Sequence, residues 1–159
     1  MRLKSTLFFK IVIILIGTPV LSIGIFGLFD LYKYPLNPNN HELILYPIII
    51  GIYVTVIPFY FALYQTFKLL CYIDKSNAFS ELPVKTLKNI KYCAISISIF
   101  YTTILPVCIY YSQKHDFPGL VIMAMISSFT STVIAVFAAV LQKLLKEAID
   151  IKSENDLTV

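Results

Sequence analysis

The sequence predicts an all-α fold, an integral membrane four-helix bundle with both termini cytoplasmic. Three observations carry that expectation. Four runs without a charged residue extend over 11–29, 43–67, 92–113 and 117–142, each 19 or more residues long. Charged residues make up only 14% of the 159-residue chain, against about a quarter in a soluble domain. Eleven of the thirteen Lys and Arg residues fall on one side of a four-pass topology. About 20 residues at ~1.5 Å rise cross a hydrocarbon core of ~30 Å. In lipid the backbone polar groups must be paired internally, so each run is read as a helix.

Span one is placed at about 11–31. It follows Met1, Arg2, Leu3 and Lys4 in the manner of a secretory signal. Its apolar core is too long for one, and no small-x-small cleavage site comes before Asp30, so the expectation is an uncleaved span. Spans two, three and four are placed at 43–67, 92–113 and 117–142. With a cytoplasmic loop over 68–91 and a cytoplasmic helical extension and tail over 143–159, they make a single domain covering 1–159. Arg2, Lys4 and Lys10 precede span one, five lysines lie in 68–91, and Lys143, Lys146 and Lys152 follow span four. An excess of Lys and Arg marks the cytoplasmic side. Tyr32, Tyr34, Tyr46, Tyr110 and Tyr111 crowd the other boundary, where an amphipathic ring suits the headgroup layer. Pro19, Pro47, Pro58 and Pro106 lie within or near the ends of spans. There they predict bent helices whose lost hydrogen bonds neighbours make good.

In the long loop, Lys75, Ser76 and Asn77 read as a turn, and a helix is expected after Ser80, which can cap it, with Glu81 in its first turn. Pro83, Leu87 and Ile90 share one side of that helix, and Lys85, Lys88 and Lys91 another. The pattern predicts a short helix on the inner membrane surface, its lysines meeting anionic headgroups. Span four carries Ser127, Ser131, Ala135 and Ala139 at four-residue spacing, a stripe that lets helix backbones approach closely in lipid. Gly17, Gly24 and Gly27 of span one are its candidate complement. Packing within one chain is the expected use, and a homodimer seam the alternative. Past Gln142 an apolar stripe continues through Leu141, Leu144, Leu145, Ala148 and Ile151. Lys143 with Glu147 and Lys146 with Asp150 make i,i+4 pairs. Such a stripe needs a cover: the loop helix, a second subunit or another protein. The tail ends as a compact peptide of a type that can be held by its carboxylate. The candidate partner-binding residues are therefore Leu144, Leu145, Ala148, Ile151, Asp156, Leu157 and Val159.

No Asp, Glu, Lys, Arg or His lies inside the uncharged runs, which argues against an ion-coupled pump or transporter. No phosphate-binding loop, nucleophile elbow or zinc-protease motif is present. Cys71, Cys93 and Cys108 have no metal-ligand spacing and read as packing. His41 beside Glu42 and His115 beside Asp116 could form an external metal site or pH sensor, or stand as solvated loop residues. The expectation is a protein with the lipid bilayer as its first partner, no catalytic residue, no cofactor, no metal and no direct nucleic-acid contact.

Several stretches resemble one family: 72–80 (YIDKSNAFS), 87–94 (LKNIKYCA), 116–119 (DFPG), 137–145 (FAAVLQKLL) and the ending 151–159 (IKSENDLTV). They are similar to the small bacterial membrane proteins grouped as domain of unknown function 2975. Where such proteins tend to have Asp-Asp-Ala-Pro-Gly, this chain has His115 followed by DFPG. The resemblance implies a bacterial plasma-membrane protein with four spans and no assigned catalytic residues. Its members are often encoded beside a small helix-turn-helix regulator, which suggests a non-enzymatic adaptor that holds or antagonises that regulator. Protection against a peptide toxin, through outer loops 30–42 and 113–117, is the alternative. A small dimeric transporter or channel is the second alternative.

Overall fold

The computed structural model describes residues 2–35 and 42–158. Within them the chain forms α1 (Arg2–Lys33), a 3-10 turn (Glu42–Ile44), α2 (Leu45–Asp74), α3 (Glu81–His115) and α4 (Gly119–Leu157). Each α-helix is long and apolar enough to cross a membrane. Ile, Leu, Val and Phe side chains cover the outer faces, as contact with lipid tails requires. The molecule is an all-α, four-helix membrane-spanning bundle. Its helices outrun the uncharged stretches chiefly at one end, where α1 and α3 begin and α2 and α4 finish. That end carries most of the lysines and is the basic end.

Packing follows chain order. α1 lies on α2, α2 on α3, and α3 on α4, while α1 makes no extended contact with α3 or α4. The glycines of α1 therefore do not complement the small stripe of α4. They lie under tyrosines of α2. Tyr60 and Tyr53 donate their hydroxyls to the carbonyls of Gly17 and Gly24 at 2.6 and 2.7 Å. Lys10 Nζ stands 5.5 Å from the centre of the Phe67 ring. These three pairs step by seven residues along both helices, in opposite directions. That is a heptad register, in which the same face of each helix keeps meeting the other.

On the α2–α3 seam Gly51 lies under Phe100, where a Cβ would come within 2.1 Å of Cζ. Toward the end opposite the lysines, Ile48, Cys108 and Ala124 are buried together, with Tyr101, Ile104 and Leu105 packed on them. Along α3–α4, Ser98 and Thr132 share a hydrogen bond of 2.7 Å, and Thr102 and Ser128 one of 2.8 Å. Ser131 and Ala135 are buried, and Ser127 and Ala139 half-buried. α3 is the one extended neighbour of α4 among the described residues, and it covers Ser131 and Ala135 of that stripe.

Two turns set the helix ends. After α2, Lys75 N–H donates to the Cys71 carbonyl at 3.1 Å and Asn77 N–H to that of Tyr72 at 2.9 Å, with Ser76 left-handed at φ 61. After α3, Asp116 is left-handed at φ 52, and Phe117 N–H donates to the Ser112 carbonyl at 3.2 Å. Pro118 then precedes the first turn of α4, its carbonyl accepting from Ile122 N–H at 3.2 Å. Residues 116–119 thus work as a helix stop followed by a helix start. A residue with a Cβ costs about 1–2 kcal/mol in the left-handed region, partly offset by the ~0.5–1 kcal/mol entropy cost of glycine. Ser76→Gly should raise the thermal midpoint in detergent slightly, by under ~1 kcal/mol of stability. A lowered midpoint would mean that the Ser76 side chain holds something the glycine cannot.

The helix over 81–91 is not a separate surface element. It is the first three turns of α3, because Pro83, Val84, Leu87 and Ile90 are buried against protein. Pro83 does not interrupt it, since N–H groups of a first turn have no helical acceptor to lose. Ser80 occupies the cap position without a side-chain cap bond, its hydroxyl donating instead to the Asn77 carbonyl at 2.8 Å. The i,i+4 pairs of the extension are not closed either. Among the described residues Lys10–Asp74 is the one ion pair within 4 Å, as suits exposed charges that gain little from pairing in water.

Candidate functional site

The basic end brings three helices together. Leu87 and Ile90 of α3 are buried with Ala138 of α4, and Leu69 of α2 and Leu145 of α4 pack against them. Beyond Gln142, α4 therefore lies along the start of α3 rather than standing free. Lys152 Nζ sits 5.7 Å from the centre of the Phe79 ring, which carries the contact out to the α2–α3 connection. The loop helix is the cover for one side of the apolar stripe.

That arrangement splits the candidate partner-binding residues in two. Leu145 and Ala148 are half-buried on the inner side. Leu144, Ile151 and Leu157 remain 55%, 67% and 83% exposed, and Asp156 is exposed beside them. Val159 lies outside the described residues. From Gln142 to Leu157 the helix advances ~22 Å at ~1.5 Å per residue. The result is a ledge with an apolar outer edge flanked by exposed Lys143, Lys146, Glu147, Asp150 and Glu154.

The lysines also separate. Lys85 is exposed. Lys88 and Lys91 converge on one ring, their Nζ atoms 5.9 and 5.1 Å from the centre of Tyr92. Lys91 also donates to Gln142 Oε1 at 3.2 Å, tying α3 to α4 at the foot of the ledge.

A second cluster escaped the sequence reading. Lys10 donates to Asp74 Oδ2 at 2.6 Å, and the Thr6 hydroxyl donates to the other carboxylate oxygen. The Lys10 and Asp74 side chains are only 21% and 13% exposed. The pair pins the start of α1 to the end of α2. Counting lysines for orientation treats each charge alone and so misses pairing. The available signal was Thr6 and Lys10 one helical turn apart, opposite the acid that closes span two.

At the other end, His115 stacks on Tyr111 with ring centres 4.4 Å apart and planes at 26°. His41 lies outside the described residues, so whether it meets His115 or stands solvated does too. Among the described residues no three His, Cys, Asp or Glu side chains gather as a metal site would require.

A family model described as "Protein of unknown function (DUF2975)" matches residues 35–159. The uncharacterized membrane protein YoaS of Bacillus subtilis (strain 168) is 57% identical over 161 aligned residues, covering 100% of both chains. No solved structure matches. The family match takes in α2, α3, α4 and the whole ledge, and begins just after α1.

Proposed function

The chain belongs to the DUF2975 family of bacterial membrane proteins, and from that premise we propose that it is a non-enzymatic plasma-membrane adaptor for a small soluble helix-turn-helix regulator. The basic end faces the cytoplasm in this reading, on the distribution of lysines. One observation carries the proposal. α4 continues to Leu157 as a helix whose inner side is fastened to α3 and whose outer side leaves Leu144 and Ile151 exposed. A helix with one face already anchored gives a partner an ordered surface, so binding loses little entropy in ordering it. Leu144 and Ile151 recur two turns apart on one face, a spacing that a complementary groove can receive.

The test is site-specific photo-crosslinking in native membranes from position 144, comparing the intact chain with one ending after Asp150. The shorter cut is chosen because Leu145 belongs to the packed core with Leu87 and Ile90. The intact chain should capture a soluble DNA-binding protein from position 144, and from 151 when the crosslinker is placed there, and the shortened chain should lose the capture from 144. Equal capture by both chains, or none by either, would overturn the adaptor reading.

A further inference from the structure

A groove runs down the outer face between α3 and α4, lined by Ile95, Ile99, Val136 and Ala139, with Lys91 at its mouth. From Lys91 to Ile99 it extends ~12 Å along the helices at ~1.5 Å per residue. Its walls are apolar, apart from the Ser98 and Thr132 hydroxyls that bond to each other. The mouth has the opposite character. Two ammonium groups, Lys91 at the mouth and Lys88 one turn before it, stand within 6 Å of the centre of one ring, Tyr92, and among the described residues neither has a carboxylate within 4 Å. Ring faces attract cations, yet two like charges at one ring repel each other unless an anion shares the site. An apolar trough beneath a doubly basic mouth matches a molecule with a phosphate at one end and a hydrocarbon chain at the other.

We propose that the α3–α4 groove seats one anionic phospholipid, its phosphate between Lys88 and Lys91 beside Tyr92 and its acyl chain along Ile95, Ile99 and Val136. A second copy of this chain fits the groove less well. A closed dimer built on this face pairs the same patch of both copies, and with all helices sharing one membrane it sets the Lys88 and Lys91 groups of each against those of the other. The lipid site does not depend on the adaptor reading, since it uses the side of α3–α4 that faces the bilayer.

Native mass spectrometry of the full chain released from detergent tests this directly. The probes are phosphatidylglycerol, phosphatidylcholine and glycerol phosphate. Phosphatidylglycerol should bind with one-to-one stoichiometry, and replacing both lysines (Lys88→Gln with Lys91→Gln) should weaken it about 10- to 30-fold, at about 1 kcal/mol for each lysine near an anionic surface. Lys85→Gln, on a residue away from the mouth, should leave binding unchanged, and Lys88→Arg with Lys91→Arg should restore it. Filling the trough with Val136→Phe, at a side chain 58% exposed, should weaken phosphatidylglycerol without altering the thermal midpoint. Equal binding of phosphatidylcholine, or full binding by the double glutamine variant, overturns the charged half of the proposal. Equal binding of glycerol phosphate overturns the acyl half and leaves a free-anion site. A chain that runs as a dimer with this groove protected assigns the face to a second copy and overturns the proposal entirely.

Discussion

Gly51→Val should loosen α2 from α3 and lower the unfolding free energy by about 3 kcal/mol, at the upper end of what overpacking costs. The cause is local. The Phe100 ring lies against the α2 backbone, and even one methyl at position 51 would come within 2.1 Å of Cζ and 2.6 Å of Cε2. The ring has only two torsions with which to retreat. Valine adds branching at the carbon that cannot fit, so either the ring leaves its rotamer or the helices part. Cys108 supplies the readout, because it is 1% exposed in the cluster with Ile48 and Ala124. In a background lacking Cys71 and Cys93, the temperature at which Cys108 becomes open to alkylation in detergent should fall. An unchanged temperature would show that Phe100 can swing into lipid without loosening the seam.

The second large effect is expected from Leu87→Ala. Leu87 is 6% exposed where α2, α3 and α4 meet, packed with Ile90, Ala138, Leu69 and Leu145. Truncating a buried leucine costs about 2–5 kcal/mol. The site lies among the lysines beyond the uncharged runs, so the water-based scale applies to it more directly than to the seams in lipid. The loss should be local. α4 beyond Gln142 should detach and become sensitive to protease, while the α1–α2 pairs and the α2–α3 seam at Gly51 persist. Under the adaptor reading, crosslinking from position 151 should fall with it. Protease resistance equal to the parent's would show that Lys152 on Phe79 and Lys91 on Gln142 hold the ledge without this core.

Much of this architecture was legible because lipid imposes a coarse demand on sequence. Uncharged runs of sufficient length have no other use, and four of them announced four helices. What stayed hidden depended on pairs. Tyr53 and Tyr60 sit inside an apolar run and look like ordinary lipid-facing aromatics. Their meaning comes only from Gly17 and Gly24 at the same seven-residue spacing on an antiparallel neighbour. Lys10 and Asp74 each looked like boundary charges until the fold set them 2.6 Å apart. The loop helix was foreseen, with Pro83, Leu87 and Ile90 on one side. Its amphipathic pattern suits a membrane surface as well as a protein neighbour, and periodicity does not distinguish the two. The ledge was foreseen as an apolar stripe in search of a cover, and the structure covers half of it.

The chain-order packing has a consequence for how the molecule is built. Each helix after the first packs on the helix made just before it. Spans leaving the insertion machinery one at a time can dock in that same sequence. Such local pairing is the arrangement that closes fastest, and synthesis favours the amino-terminal parts first. The hydroxyls of Tyr53 and Tyr60 find their acceptors as soon as α2 is in place, without waiting for the rest of the chain. Of the four helices α4 docks last, onto α3, so the ledge forms only once the other three are in place. A partner that reads the ledge would thereby meet finished molecules alone.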